Sequence, residues 1–322
     1  MELRAPTLAE IRAAQERLRG SVTRTPLVPY RGPSLPGAPR EIHLALENLQ
    51  PIGSFKLRGA GNAMLAADPA ALAGGVVTAS AGNMAQGVAW HARRLGIPCR
   101  VVVPDRAPRA KLDAIRALGA EPIAVPFERW WRTLEERRFE GLSGLFVHPV
   151  SDPDVIAGNA TIGLEILEEL EQVDAILVPF GGGGLSCGIA AAARALSPST
   201  RVYACEVESA APLRASLAAG RPVRVEHRPS FVDGIGSPGL LPDMWPLAST
   251  LLAGSLVVEL AHVADAILRL ARDAKVVAEG AGAASLAAAL RELPGQGRVV
   301  CVVSGGNLDA TTLARALRGE IP

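Results

Sequence analysis

The chain has 322 residues, 49% of them apolar and 20% charged, and a formal net charge of +1. Such a balance gives no electrostatic reason to bind nucleic acid or an anionic membrane surface. The longest apolar stretch, residues 280–290, is far shorter than the ~20 residues that span a bilayer. The length is enough for about two domains, each with its own core.

Cysteine and lysine usage is the informative part of the composition. Four cysteines are scattered in apolar stretches without a CxxC pair, which predicts buried, reduced thiols in a soluble, cytoplasmic protein. Only three of the 33 basic residues are lysines, namely Lys56, Lys111 and Lys275. Arginine serves wherever positive charge suffices, but only lysine can form an imine. Each lysine is therefore a candidate functional residue. The alternative is that these lysines are retained by chance and have no function.

The first predicted element is a helix that begins after Thr7, because Glu10 completes a capping box and apolar residues follow at helical spacing. A proline- and glycine-rich stretch, residues 31–39, is predicted to be a loop. Beyond it, buried strands alternate with glycine-bearing turns and helices. These strands are predicted at residues 76–78, 100–103, 123–125, 175–180, 201–205 and 299–303.

Helices are predicted between these strands, at residues 84–95, 109–118 and 129–138 and in an alanine-rich run that ends at residue 196. Continuous apolar strands that alternate with helices predict an α/β fold of open, largely parallel sheets flanked by helices. We expect a small domain at residues 74–148, inserted into a large domain made of residues 1–73 and 149–322. Ligands of such folds bind outside the carboxyl ends of the strands, where the turns lie.

The strongest local signal is a glycine turn between a buried strand and a helix, Gly181-Gly182-Gly183-Gly184-Leu185. Four glycines let the backbone approach an anion closely, and the N-terminus of the next helix offers unpaired N–H groups and a partial positive charge. The turn predicts a phosphate site, with a flexible glycine loop as the alternative. No Lys-Ser/Thr follows, which excludes a nucleoside-triphosphate P-loop.

A dinucleotide site is the other phosphate-binding alternative. The glycine turn does not fit GxGxxG, because Ser186 or Cys187 occupies the third glycine position. Glu206, at the end of the next strand, is placed like the ribose-binding acid of a dinucleotide fold. It is equally consistent with a residue on the surface at the end of a strand.

Two further segments contain candidate site residues. Lys56 lies beside Phe55 and close to glycines, which suggests a flat ligand, although a lysine on a helix surface has the same pattern. Ser304 opens a Ser-Gly-Gly-Asn turn after the last buried strand. Its hydroxyl could meet a ring nitrogen, or merely cap the following helix.

A fourth candidate segment is the turn Ser80-Ala81-Gly82-Asn83, which follows a buried strand. Successive N–H groups at the start of a helix suit a carboxylate. A capping turn without a ligand is the alternative. The turn is thus a candidate substrate-binding segment.

Together these segments resemble the fold type II family of pyridoxal-phosphate enzymes, in its threonine/serine dehydratase and serine racemase branch. The motifs are SFKLRGA at residues 54–60, SAGN followed by AQG at 80–87, GGGGL at 181–185 and SGGN at 304–307, in the family's order. The resemblance covers nearly the whole chain. It implies a tryptophan synthase β-like fold with two open sheets, a large cofactor-binding domain and a small substrate-side domain.

The resemblance implies the cofactor pyridoxal 5′-phosphate, a small amino-acid substrate and a homodimer. The implied cofactor-binding residues are Phe55 beside the ring, the catalytic Lys56 in a Schiff base, Asn83 at the phenolic oxygen, Gly181, Gly182, Gly183, Gly184 and Leu185 at the phosphate, Glu279 near the active site and Ser304 at the ring nitrogen. The implied substrate-binding residues, at the carboxylate, are Ser80, Ala81, Gly82 and Asn83. The segment at Asp233 resembles one at the substrate end of the family's site.

Three positions depart from the family pattern. Met84 stands where a histidine is common, and Asn159 replaces a usual glutamine. The family's cation site needs a second acid after the strand-end glutamate, but Pro212 follows Glu206 at that spacing. We therefore expect no metal.

The implied reaction is the β-elimination of a hydroxyamino acid such as threonine or serine, which yields a 2-keto acid and ammonia. Two alternatives within the family are an amino-acid racemase of the serine type and a dehydratase of 3-hydroxyaspartate. In serine racemases, a serine occupies the position of Ala81 and supplies the second acid or base at the α-carbon. Outside the family, the alternatives are a dinucleotide enzyme and a non-catalytic protein that binds a phosphate ligand.

Overall fold

The computed structural model describes residues 3–33, 41–292 and 297–322. Residues 34–39 of the predicted proline- and glycine-rich loop lie outside these ranges. In the described part of the chain, ten strands form two sheets. In chain order they are β1 (Leu27–Pro29), β2 (Glu41–Ala45), β3 (Val76–Ala79), β4 (Cys99–Pro104), β5 (Glu121–Val125), β6 (Leu145–Phe146), β7 (Ala175–Pro179), β8 (Arg201–Val207), β9 (Gly254–Val258) and β10 (Arg298–Val302).

Helices precede, connect and follow these strands. In chain order the α-helices are α1 (Leu8–Leu18), α2 (Lys56–Ala66), α3 (Pro69–Leu72), α4 (Asn83–Leu95), α5 (Arg109–Ala117), α6 (Phe127–Glu136), α7 (Pro153–Glu169), α8 (Gly184–Leu196), α9 (Pro212–Ala219), α10 (Trp245–Leu251), α11 (Leu260–Arg269), α12 (Gly280–Arg291) and α13 (Ala310–Leu317). The predicted capping box is confirmed at α1, where Thr7 accepts from the Glu10 N–H and Glu10 accepts from the Thr7 N–H.

The larger sheet has six strands in the order β1-β2-β10-β7-β8-β9. All neighbouring pairs are parallel except β1 and β2 at one edge. Side chains alternate between its two faces: Leu177 packs with α11 and α12, whereas Ile176 and Val178 pack with α7 and α8. Helices on both faces explain why these strands are apolar throughout, so the predicted parallel α/β fold is confirmed.

The smaller sheet has four parallel strands in the order β5-β4-β3-β6. One face packs with α2 and α4, including Met64 and Val88, and the other packs with α6. All four strands lie within residues 76–146, inside the predicted small domain. The boundaries at 74 and 148 stay a prediction, and α2, which precedes them, shares the core of this sheet.

Four strands were missed from the sequence: β1, β2, β6 and β9. β1 and β6 have only three and two residues, too few to show a hydrophobic period. β2 contains Glu41 and His43, which interrupt its apolar run. No helix in the described ranges combines the length and hydropathy of a membrane span. All four cysteines are free and buried, as expected.

A buried ion cluster fixes the start of α2. Arg58 and Glu47 are fully buried, and Glu47 follows β2. The Arg58 guanidinium donates from Nε and Nη2 to both oxygens of Glu47, at 2.9 and 2.8 Å. It also donates to both oxygens of Glu165 on α7, at 2.8 and 2.7 Å, and to the Thr161 hydroxyl. The cluster therefore joins the segment after β2 to α2 and α7 in a largely buried place.

Replacing Arg58 with Met is expected to lower the free energy of unfolding by about 3–5 kcal/mol, because the buried Glu47 and the largely buried Glu165 would lose their counter-charge. Urea unfolding followed by circular dichroism measures this loss. Arg24→Met is the matched control, since Arg24 also pairs with glutamates of α7 but is half exposed. Arg24→Met should lower the free energy of unfolding by at most ~1 kcal/mol. Equal losses in the two variants would contradict a special contribution of the buried cluster.

Candidate active site

A cleft of about 570 Å³ lies at the carboxyl ends of strands from both sheets. Its walls include the residues that follow β3, β4, β7 and β10. The structure brings together in this one cleft every site residue predicted from the sequence, which are Phe55, Lys56, Ser80, Ala81, Gly82, Asn83, Gly181, Gly182, Gly183, Gly184, Leu185, Glu279 and Ser304. Their individual roles stay predictions.

Lys56 is the first residue of α2 and points its amine into the cleft. Its Nζ donates to the carbonyl of Pro149, at 2.7 Å, in the loop that precedes α7. Burial lowers the pKa of Lys56 to about 8, and the negative charge of Glu279 opposes part of this shift. A lysine with such a pKa is partly neutral near pH 7–8, and only the neutral amine is a nucleophile or a base.

Backbone hydrogen bonds hold the segment before Lys56 against the serine turn after β10. The Phe55 N–H donates to the Ser304 carbonyl at 3.0 Å, and Ser54 pairs with Gly305 in an isolated β-bridge. The Gly306 N–H donates back to the Gly53 carbonyl at 2.9 Å. Because of these contacts, Lys56 and Ser304 keep a fixed distance from each other.

The glycine turn joins β7 to the N-terminus of α8. Gly183 has φ = +97°, in the left-handed region that favours glycine. A Cβ at Gly182 would lie 2.6 Å from a methyl group of Val150, and a Cβ at Gly184 would lie 2.7 Å from the Val150 carbonyl oxygen. Packing as well as conformation thus requires glycines here. The result is a backbone cradle at the start of a 13-residue helix, where N–H groups are free to bind an anion.

Three polar side chains form a chain of hydrogen bonds, of which Asn83 and Glu279 line the cleft and Asn307 lies behind them. The Asn307 side-chain amide donates to Asn83 Oδ1 at 2.8 Å, and Asn83 Nδ2 donates to the Glu279 carboxylate at 2.9 Å. Glu279 is buried, which raises its pKa to about 7, although the bond from Asn83 lowers it. Asn307 was not among the predicted site residues. The sequence shows Asn307 as the last residue of the SGGN motif, but its partner Asn83 lies 224 positions away and could not be inferred.

The cleft contains further residues that the sequence did not indicate. Pro149 and Val150 line it between Lys56 and the glycine turn. Trp130 and Leu134 of α6 contribute apolar surface, and Lys111 of α5 reaches into the cleft from the smaller sheet. Of these residues only Lys111 is a candidate from the sequence, as one of three lysines, and it lies in none of the motifs.

Glu206 and Met84 are both buried, and of the two only Met84 is among the residues that line the cleft. The interpretation of Glu206 as a surface residue is therefore wrong. Glu206 is buried and accepts from the N–H groups of Leu213 and Arg214, at 2.8 Å each, and from the Ser255 hydroxyl. It therefore binds the N-terminus of α9, and it does not line the cleft. This placement gives no support to a ribose-binding role. Met84 packs in the core of the smaller sheet.

Comparisons with known proteins agree with this geometry. The pattern of the family described as "Pyridoxal-phosphate dependent enzyme" matches residues 18–305. The chain is 42% identical over 317 residues to an L-threonine ammonia-lyase of Thermotoga maritima, covering 97% of this chain and 78% of that one. It is 35% identical over 318 residues to a β-hydroxyaspartate dehydratase of Paracoccus denitrificans, covering 96% and 98%. The solved structure of maize serine racemase superposes with a TM-score of 0.87, at 32% identity, over 98% of each chain.

The lowered pKa of Lys56 gives a prediction for the cofactor-free protein. Because the chain has three lysines, [ε-¹³C]lysine labelling yields three side-chain signals, and Lys56→Arg identifies one of them. The Lys56 signal should titrate with a midpoint near 8. In Glu279→Gln the midpoint should fall further, because the carboxylate that favours the charged amine is gone. A midpoint near the ordinary ~10.4 in both proteins would show that Lys56 is not desolvated.

Proposed function

Because the chain belongs to the family of pyridoxal-phosphate dependent enzymes, we propose that it is a hydroxyamino-acid ammonia-lyase. It would convert threonine or serine into the 2-keto acid and ammonia. The observation that carries the proposal is the joint placement of Lys56, the glycine turn and Ser304 in one cleft. The identity to a threonine ammonia-lyase, which extends over almost the whole chain, supports the same reaction.

The shape and chemistry of the cleft fit the cofactor. A phosphate suits the backbone cradle from Gly181 to Gly184, which has no room for side chains at Gly182 and Gly184. An aldehyde requires a reactive amine, and Lys56 lines the same cleft with a lowered pKa. Ser304, held beside the segment of Lys56, would be the partner of the ring nitrogen.

Lys56 would carry out both the binding and the proton chemistry. The cofactor, when bound, supplies an aldehyde that takes up amines and a ring that withdraws electrons from the substrate's α-carbon. Lys56 Nζ, which a substrate amine would displace, can then take the α-proton as a general base. The bond from the β-carbon to the hydroxyl oxygen then breaks, and the departing oxygen would take the proton back from Lys56 Nζ, so that the group leaves as water. The unsaturated amine that results is hydrolysed to the keto acid and ammonia.

The other residues of the cleft would orient the substrate and tune the reaction. Backbone N–H groups of the turn from Ser80 to Asn83 would bind the substrate carboxylate at the start of α4. The Ser304 hydroxyl is a weaker acid than a carboxylic acid and leaves a ring nitrogen neutral. Charge at the α-carbon is then less delocalised, which favours loss of the β-hydroxyl. Glu279, bonded to Asn83, would keep this wall in place.

A racemase is the second candidate, and the likeness to maize serine racemase favours it. Racemisation needs an acid or base on each face of the α-carbon. Lys56 provides one, whereas the residue at the position of the second group is Ala81, which has no exchangeable proton. The cleft is therefore better suited to elimination than to racemisation.

We also propose that the enzyme acts as a homodimer in the cytoplasm. Four free, buried cysteines are compatible with a reducing compartment. The dimer is proposed from the resemblance to the family. Light scattering of the purified holoenzyme would measure the mass of the assembly.

Replacing Lys56 with Arg tests the proposed function, because arginine keeps the positive charge but cannot form an imine. The variant should lose cofactor on desalting and release no keto acid from L-threonine or L-serine. Lys275→Arg is the matched control, and it should retain both properties, since Lys275 is exposed and away from the cleft. If Lys56→Arg keeps its cofactor and its turnover, the assignment of Lys56 is wrong.

Replacing Ala81 with Ser distinguishes the lyase from the racemase. The wild type should release pyruvate from L-serine much faster than it forms D-serine. Ala81→Ser should raise the racemisation rate selectively, because a positioned acid or base contributes ~10²–10⁴-fold. Chiral chromatography measures both products, and Ala107→Ser, elsewhere on the cleft wall, should leave their ratio unchanged. Wild-type racemisation as fast as pyruvate release would refute the lyase.

A further inference from the structure

An ion pair crosses the mouth of the cleft. Lys111 lies on α5, which connects β4 and β5 of the smaller sheet. Asp233 lies between α9 and α10, in the connection from β8 to β9 of the larger sheet. The Lys111 Nζ and the Asp233 Oδ2 are 2.5 Å apart, and both residues line the cleft. The proposed chemistry uses neither side chain.

This ion pair is close to the turn proposed to bind the substrate carboxylate. A Cβ at Gly234, the neighbour of Asp233, would lie 3.3 Å from the Glu279 carboxylate. That carboxylate accepts the hydrogen bond from Asn83, the last residue of the turn. The charges of Lys111 and Asp233 both act on Glu279. The pair therefore lies within the electrostatic reach of a bound amino acid.

The pair can also be exchanged. The side chains are 37% exposed for Lys111 and 59% exposed for Asp233, and ion pairs with this much contact with water contribute little net stability. An incoming carboxylate can replace Asp233 on Lys111 at small cost, because one charge-assisted hydrogen bond is traded for another.

We propose that Lys111 forms a second anion subsite, in which a carboxylate on the substrate's side chain takes the place of Asp233. The class of ligand is a dicarboxylic amino acid, with 3-hydroxyaspartate as the reactive member. This inference rests on the proposed function, because it assumes an amino acid held at the turn from Ser80 to Asn83. It adds a residue and a second substrate class to that function.

A simple latch that holds the cleft closed is the competing explanation of the same ion pair. The two explanations predict different relative directions for the changes in ligand binding when each partner is replaced. A latch is broken equally by removing either partner, so Lys111→Met and Asp233→Asn should change ligand binding in the same direction. An exchange subsite predicts opposite changes, because Asp233→Asn frees Lys111 whereas Lys111→Met removes the cation.

The experiment compares two ligands of nearly equal shape on the holoenzyme. L-Aspartate carries the second carboxylate, L-asparagine replaces it with a neutral amide, and neither has a β-hydroxyl to eliminate. Their dissociation constants come from the change in cofactor absorbance, and their inhibition constants from competition with L-threonine. The ratio of the two dissociation constants isolates the contribution of the charge.

We expect wild type to bind aspartate more tightly than asparagine. Asp233→Asn should tighten aspartate about three- to fivefold and Lys111→Met should weaken it about tenfold, with asparagine unchanged within twofold. Asp243→Asn is the matched control and should behave as wild type. Asp243 pairs with Arg137 of the smaller sheet's region at 3.0 Å, yet neither residue lines the cleft.

Three outcomes would overturn the subsite. These are equal changes for both ligands, changes of the same direction in the two variants, and loss of the aspartate preference in Arg106→Met but not in Lys111→Met. The last would assign the carboxylate to Arg106, another cation on this wall. L-Threonine turnover is measured alongside, so that failure of the lyase itself is seen separately from failure of the subsite.

Discussion

The rest of the site depends on one interaction, the contact of the Arg58 guanidinium with two carboxylates, of which one is fully and the other largely buried. Charged groups in such a place are held only in geometries that satisfy their hydrogen bonds. Arg58 meets this requirement with Glu47 after β2 and Glu165 on α7, and so fixes the beginning of α2 relative to the larger sheet and to α7. Lys56 lies two residues before Arg58 on this helix. The position of the Lys56 amine therefore follows from a cluster whose residues do not line the cleft.

The cleft itself is a consequence of parallel strands. Because all parallel strands of a sheet end at the same edge, the turns after β7 and β10 meet there, and the turn after β3 faces them from the smaller sheet. Two of the turns, after β7 and after β3, present backbone N–H groups at the start of a helix, and the turn after β10 presents the hydroxyl of Ser304. One short loop, containing Pro149 and Val150, then fills the space between the lysine and the glycines.

The parts of this arrangement that the sequence predicted are those encoded locally. A glycine run after an apolar strand indicates the backbone conformation, the close packing and the class of ligand together. The turn from Gly181 to Gly184 was therefore recognisable from a few residues. Contacts between residues that are far apart in the sequence could not be predicted in this way. Nothing near Asn307 indicates Asn83, and nothing near Lys111 indicates Asp233, because each pair forms only when the strands are arranged in sheets. Arg58 stood in a recognised motif, yet its partners are 11 and 107 positions away.

The scarcity of lysine has a consequence for how the protein acquires its cofactor. An aldehyde in solution condenses with any accessible neutral amine, so lysine-rich surfaces collect it at random. Here the two other lysines already donate hydrogen bonds, Lys111 to Asp233 and Lys275 to the Arg272 carbonyl. Arginine carries the remaining positive charge of the surface and is inert to aldehydes. With only two lysine amines besides Lys56, the chain offers a free aldehyde few competing sites, so an excess of cofactor should label few positions other than Lys56.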